Sequence, residues 1–193
     1  ESVQLDKEKE SPLPMLSGTF IIMLFLLGLH GGVDSALALW VPRYLESRFS
    51  ALPITAGIVL FLCSFAYLVS RLLLFSQDTE QQRRKLLVFP GLIGGSILLV
   101  SLLLDKPWSV SFGYPLAAFC WSFEYPTLVS QAAEELQDRF TQFMSINMLS
   151  SYILTMVFTS GVGILSDQTG NLFVPFILLA CGFIAFGLIA YFA

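Results

Sequence analysis

The sequence predicts an all-α membrane protein of six transmembrane helices, arranged as two three-helix inverted repeats. Three observations predict it. Of 193 residues, 55% are hydrophobic and only 12% are charged, about half the ~25% charge of a soluble domain, and the mean hydropathy is +0.76. The charge is also bunched. Stretches free of Asp, Glu, Lys and Arg run 11–33, 49–70, 86–104, 107–123, 140–166 and 168–193, each close to the ~20 apolar residues of a bilayer-spanning helix. Finally, the first and fourth of the predicted helices, about 15–41 and 108–132, each contain an acid, while the third and sixth contain no Asp, Glu, Lys, Arg or His. Two three-helix repeats give that distribution when the first helix of each lines a cavity and the third faces lipid. A water-soluble enzyme domain, a nucleic-acid binder and a disulfide-stapled secreted fold are all excluded.

Each element follows from local signals. Residues 1–14 form a polar arm or linker end closed by Pro12 and Pro14. The first helix covers about 15–41 and stops before Pro42. The second, about 52–75, has Pro53 in its first turn, where a missing N–H costs least. A polar loop over 76–85 leads to the third helix, about 86–104. Asp105-Lys106-Pro107 opens the fourth, about 108–132. Pro126 removes a hydrogen bond to the Ser122 carbonyl and kinks that helix. The fifth covers about 140–165. Asp167-Gln168-Thr169-Gly170 turns into the sixth, about 172–193. Strands are excluded, because these runs far exceed the ~10 residues of a membrane strand.

Lys and Arg placement sets the orientation. With the N-terminus cytoplasmic, inner segments hold Lys7, Lys9, Arg83, Arg84, Lys85 and Arg139, against Arg43, Arg48 and Lys106 outside. This predicts a multi-pass protein of a plasma or inner membrane with both termini cytoplasmic. The acidic segment before the first helix, and that helix's length, do not fit a signal peptide. The chain begins at Glu1 and ends inside an apolar run, and so reads as a piece of a longer polypeptide. Cys63, Cys120 and Cys181 each fall within a span with no CxxC or histidine neighbour, and read as small core residues; no metal or cofactor is expected. Gly28/Gly32 and Gly91/Gly95 are GxxxG pairs that let helices approach closely.

Ionisable groups at a helix centre cost about 2.5–3.5 kcal/mol on insertion scales, so those present are the candidates for function. His30 and Asp34 are four apart and share one face of the first helix. Burial disfavours charge on both, which makes proton exchange cheap. Two readings fit: a proton- or substrate-binding pair lining a cavity, and a buried polar pair fixing helix packing. Glu124 lies in Trp121-Ser122-Phe123-Glu124-Tyr125-Pro126-Thr127. An acid beside a broken turn, flanked by aromatics able to stack on a ring, suits a solute site; the aromatics alone also suit a core or lipid face. Arg71 lies near the inner end of the second helix, where it can snorkel and pair with Asp78 or Glu80. Asn147 and Ser151 share a face of the fifth helix, suited to a solute or to interhelical hydrogen bonds.

Several of these residues fall in family-like motifs. Gly32-Val33-Asp34 precedes Trp40-Val41-Pro42-Arg43-Tyr44-Leu45; Tyr125-Pro126-Thr127-Leu128 lies in the fourth helix; Gly161-Val162-Gly163-Ile164-Leu165-Ser166-Asp167-Gln168-Thr169-Gly170 closes the fifth. In order and spacing the chain resembles the C-terminal six-helix half of a Major Facilitator Superfamily transporter, most like the fucose-permease type of sugar:proton symporter. It departs from that pattern with Ser70 before Arg71, and with only Asp78 and Arg83-Arg84 in the following loop. The resemblance implies half of a twelve-helix fold, with Asp34 and Glu124 facing the central pathway.

The expectation is therefore half of a secondary active transporter for a small polar solute such as a sugar, proton-coupled and working by alternating access. Asp34, tuned by His30, and Glu124 are the proton-coupling candidates. Trp40, Trp121, Glu124, Asn147 and Ser151 are the substrate-binding candidates. Arg71, Asp78, Arg83 and Arg84 are gating or structural charges. The expected partners are the lipid bilayer, a second six-helix half on the same or another polypeptide, and the solute; nucleic acid is not one. No nucleophile, base and orienting group recur at usable spacing, so an enzyme is not expected. The rival is a transporter-like membrane subunit that scaffolds a larger complex and does not transport.

Overall fold

Long apolar runs can satisfy their backbone polar groups inside a bilayer only as helices or closed barrels, and here they form helices. The computed structural model describes residues 18–74 and 80–192. Its elements are α1 (Gly18–Phe49), α2 (Pro53–Leu74), α3 (Glu80–Leu103), α4 (Pro107–Trp121), α5 (Glu124–Leu136), a 3-10 turn (Gln137–Arg139), α6 (Phe140–Thr169) and α7 (Phe173–Phe192). No strand occurs among the described residues. Five stretches are long and apolar enough to cross a membrane: Gly18–Phe49, Pro53–Leu73, Gln82–Leu103, Pro107–Thr169 and Phe173–Phe192. The fourth of these contains α4, α5, the 3-10 turn and α6. The polar arm over 1–14 and Asp78 lie outside the described residues.

Helix boundaries differ from those the sequence predicts in five places; two are extensions of one turn, α5 to Leu136 rather than about 132 and α6 to Thr169 rather than about 165, and three are larger. α1 does not stop before Pro42 but continues to Phe49 with Pro42 inside it. The last two turns are held by packing: Tyr44 and Leu45 are fully buried, and Tyr44 stacks on Phe176 of α7 at 4.4 Å. That burial outweighs the hydrogen bond the proline removes. α3 begins at Glu80, within the segment read as a loop, because its charged first turns are tied to neighbours. Arg83 pairs with Glu134 of α5, and Arg84 Nη2 donates to the Tyr191 carbonyl of α7 at 3.2 Å. The single fourth helix is two, α4 and α5. Pro126 has no N–H for the Ser122 carbonyl, and the ladder is interrupted over Ser122 and Phe123. Both residues keep right-handed helical angles, with φ/ψ of −62°/−16° and −73°/−24°, so the break hinges the chain without reversing it. Gly170 ends α6 in the left-handed region at φ 70°.

Packing is layered. α3 lies against α7 and α4, α1 against α6 and α7, and α2 against α4. Glycines set the closest approaches. A Cβ on Gly28 would meet Leu154 at 2.5 Å, and one on Gly32 would meet Phe158 at 2.7 Å, so that GxxxG pair seats α6 on α1. A Cβ on Gly95 would meet the Ala180 carbonyl at 2.9 Å, which places Gly95 at the contact of α3 with α7. The interior is filled by side chains such as Phe143, Phe176, Phe183 and Phe186. The outside is apolar too: Ile54, Phe61, Phe112 and Leu149 are each at least 64% exposed. An exterior of that kind needs an apolar solvent or partner.

Candidate functional site

The break between α4 and α5 is where the polar side chains meet. Trp121 is the last residue of α4 and Glu124 the first of α5, so they leave the chain on opposite sides of the interruption. Both point at α1. Glu124 Oε2 lies 2.9 Å from His30 Nδ1, and both residues are buried. Trp121 Nε1 donates to Asp34 Oδ1 at 3.1 Å and to the Tyr67 hydroxyl at 2.8 Å. Tyr67 in turn donates to the same Asp34 oxygen at 2.6 Å. Between them, the Ser122 hydroxyl is hydrogen-bonded to that of Ser70 on α2 at 2.5 Å. The residues flanking the break, Trp121 and Glu124, are thus tied to α1, and Ser122 within it to α2, by side chains.

His30 and Asp34 do not bond to each other. The i, i+4 spacing places their Cβ atoms about 5–6 Å apart on one face, and each finds a nearer partner from another helix. His30 packs among aromatics, with ring centroids 5.6 Å from Phe183, 5.9 Å from Phe186 and 6.1 Å from Tyr125. Asp34 is only half-buried. The one α1 face therefore carries two separate polar centres, Asp34–Tyr67–Trp121 and His30–Glu124.

Glu124 has one oxygen to spare. Its Oε1 is buried with no hydrogen-bond partner, and it rests where a side chain on Gly91 would be: a Cβ there would lie 2.5 Å from Oε1 and 2.8 Å from the Phe183 carbonyl. Buried polar atoms without partners are uncommon, because desolvation costs about 1–3 kcal/mol each. With neutral imidazole donating from Nδ1 to a carboxylate, the His30–Glu124 pair carries one negative charge; one added proton makes it net neutral, whichever of the two holds it.

The remaining candidates divide by place. Trp121 belongs to the Asp34 centre, and its ring is covered by Phe183 in a stack of 3.9 Å and 5°. Trp40 stands apart, donating from Nε1 to the Thr159 carbonyl of α6 at 3.1 Å. Asn147 is buried, 3.5 Å from the Tyr125 hydroxyl, and accepts from Ser151 at 3.3 Å. Arg71 is exposed at the end of α2; its expected partner Asp78 and the side chain of Glu80 lie outside the described residues. Arg83 and Arg84 join α3 to α5 and α7. No His/Cys/Asp/Glu group suited to a metal ion occurs among the described residues.

Sequence reasoning did not find Tyr67, Ser70 or the role of Gly91. Tyr67 was legible only as a polar-tipped ring in an apolar span, and Gly91 only as half of a GxxxG pair. At the far end of α1, Arg48 grips Asp105 with two bonds of 2.9 and 2.5 Å and lies over the Phe173 ring at 5.6 Å. The hydrogen bond from Arg48 holds the Asp105 carboxyl below the usual carboxylate range. Comparison with known proteins finds no family model that matches the chain and no curated protein significantly similar to it in sequence.

Proposed function

We propose that this chain is the C-terminal six-helix half of a secondary active transporter of the Major Facilitator type, moving a small polar solute such as a sugar by proton-coupled alternating access. The observation that carries this reading is a pair of carboxylates, Asp34 on one face of α1 and Glu124 at the start of α5, each bonded between that face and the helix break: Glu124 to His30, and Asp34 to Trp121. An apolar bundle has no stability reason to hold two acids within its spans. Proton binding gives one, since each carboxylate can exchange its charge for a proton when the surrounding helices move. The His30–Glu124 pair and the Asp34 centre are then two proton sites along α1, with Trp121 and Tyr67 orienting Asp34.

The helix contacts support the inverted repeats. Taking α4 and α5 as one broken crossing gives six crossings and two triplets. The first helix of each triplet packs on the second helix of the other, α1 on α6 and α4 on α2. The third helices, α3 and α7, pack on each other, and each also touches the first helix of the other triplet. A pseudo-two-fold axis between triplets has this pairing as its consequence. In this reading the protein is multi-pass in a plasma or inner membrane with both termini cytoplasmic, and a second six-helix half faces the Asp34 side. Transport measurements on the full-length protein test it. Asp34→Asn and Glu124→Gln should each abolish uptake driven by a pH gradient; uptake that survives both substitutions refutes the proton assignment.

One observation favours a scaffold that does not transport. Trp40, Trp121 and Asn147 spend their N–H groups on partners within the bundle, as a purely structural polar core would. Solute-dependent thermal stabilisation of the full-length protein across a sugar and metabolite panel, at two pH values, separates the two readings.

A further inference from the structure

On the outside of the bundle a groove of about 280 Å³ runs between α3 and α4, walled by Phe89 and Ile93 on one side and Phe119, Cys120 and Phe123 on the other. Phe89 and Ile93 are about half exposed. Phe119 and Phe123 meet edge to face at 5.5 Å and form a continuous apolar wall. A single charged side chain, Lys85, lies at one end.

Three features define the occupant. Successive helix residues point about 100° apart, so the run Arg83-Arg84-Lys85 fans its charges: Arg83 goes to Glu134, Arg84 to the Tyr191 carbonyl, and Lys85 to the groove. From Lys85 to Ile93 the groove follows eight residues of helix, about 12 Å at ~1.5 Å per residue, close to the ~15 Å hydrocarbon depth of one leaflet. Pro90, also in the wall, has no N–H, so the Leu86 carbonyl beside Lys85 lacks its usual helical donor. A long apolar slot of leaflet depth, with one cation and a spare acceptor at its mouth, is complementary to a lipid tail under an anionic, hydroxylated headgroup.

We propose that this groove binds one acyl chain of an anionic phospholipid, with the lipid phosphate on Lys85. The site depends on the chain being embedded in a bilayer and not on transport, so it stands or falls separately from the proton assignment.

The test is native mass spectrometry of the full-length protein released from bilayers of equal phosphatidylglycerol and phosphatidylcholine with matched chains. One lysine–phosphate contact near the surface corresponds to about a fivefold preference for retained phosphatidylglycerol. Lys85→Gln should bring the two lipids to parity. Ile93→Trp, at a half-exposed position where it fills the slot without touching the core, should remove most of the retained lipid. Lys106→Gln, at the opposite end of the α3–α4 pair, should leave the preference unchanged. Parity in the unaltered protein, a preference that survives Lys85→Gln, lipid retention unchanged by Ile93→Trp, or a second protein copy retained in place of lipid would each overturn the proposal.

Discussion

His30 Nδ1 and Glu124 Oε2 lie 2.9 Å apart in the interior although 94 positions separate them in the chain. The contact joins α1 to α5 at the residue where the helix resumes after the break at Ser122 and Phe123. Three residues earlier, Trp121 makes the matching contact to Asp34 one helical turn along α1. The break is therefore clamped on both sides to the same face of the same helix.

Removing one member of a buried polar pair strands the other. Glu124→Ala should lower stability by about 3–5 kcal/mol, read from chemical unfolding in detergent. Glu124→Gln keeps an acceptor for His30 and should cost much less, while removing the titratable group. His30→Phe combined with Glu124→Leu should recover most of the loss, because an apolar pair leaves no orphan. A double mutant as unstable as Glu124→Ala would show that the contact does not govern packing here.

Tyr67→Phe deletes one hydroxyl that both accepts from Trp121 and donates to Asp34. The ring remains, so no cavity opens. The expected loss is about 1–3 kcal/mol. Loss of pH-driven uptake with the fold intact by circular dichroism would place Tyr67 in the coupling machinery; unchanged uptake would leave it a packing residue.

Two glycines give a controlled contrast. Gly91→Ala brings a methyl to 2.5 Å from Glu124 Oε1 and 2.8 Å from the Phe183 carbonyl. The backbone of α7 cannot yield without unseating α3, so a loss of about 1–3 kcal/mol is expected. Gly57 in α2 has nothing within 4 Å of its would-be Cβ, and Gly57→Ala should gain about 0.5–1 kcal/mol. Thermal melts of the two variants side by side check the sign of each.

Asp105 lies below its ordinary value of 3.8 because Arg48 hydrogen-bonds to it. A carboxyl depressed in the folded state stabilises the fold fully above the unfolded value, and that contribution is lost as pH falls from about 3.8 through the lower folded value. Melting temperature should therefore drop more steeply below pH 4 in the native protein than in Asp105→Asn. Salt should weaken the difference, since the pair is exposed. Identical acid profiles for the two proteins would remove the ion pair from the stability of the α1 end.

How much of this was legible in the sequence follows from the physics of each feature. The all-helical class, the placement of the long apolar segments and the Pro126 break follow from hydropathy and backbone chemistry, which act over a few residues and have few alternatives in an apolar solvent. His30, Asp34 and Glu124 stood out for the same reason: an ionisable group in an apolar run is conspicuous whatever surrounds it. The partners were not legible. Spacing puts His30 and Asp34 on one face, but whether they meet depends on what arrives from α2, α4 and α5. Pro42 marks a helix stop locally, yet Tyr44 buried on Phe176 carries α1 past it. Lys85 and its two arginine neighbours read alike in sequence, and only their directions around α3 assign one to α5, one to α7 and one to the groove. Local chemistry fixes which groups are costly to bury; tertiary packing decides who compensates each of them, because those contacts are set by helices distant along the chain.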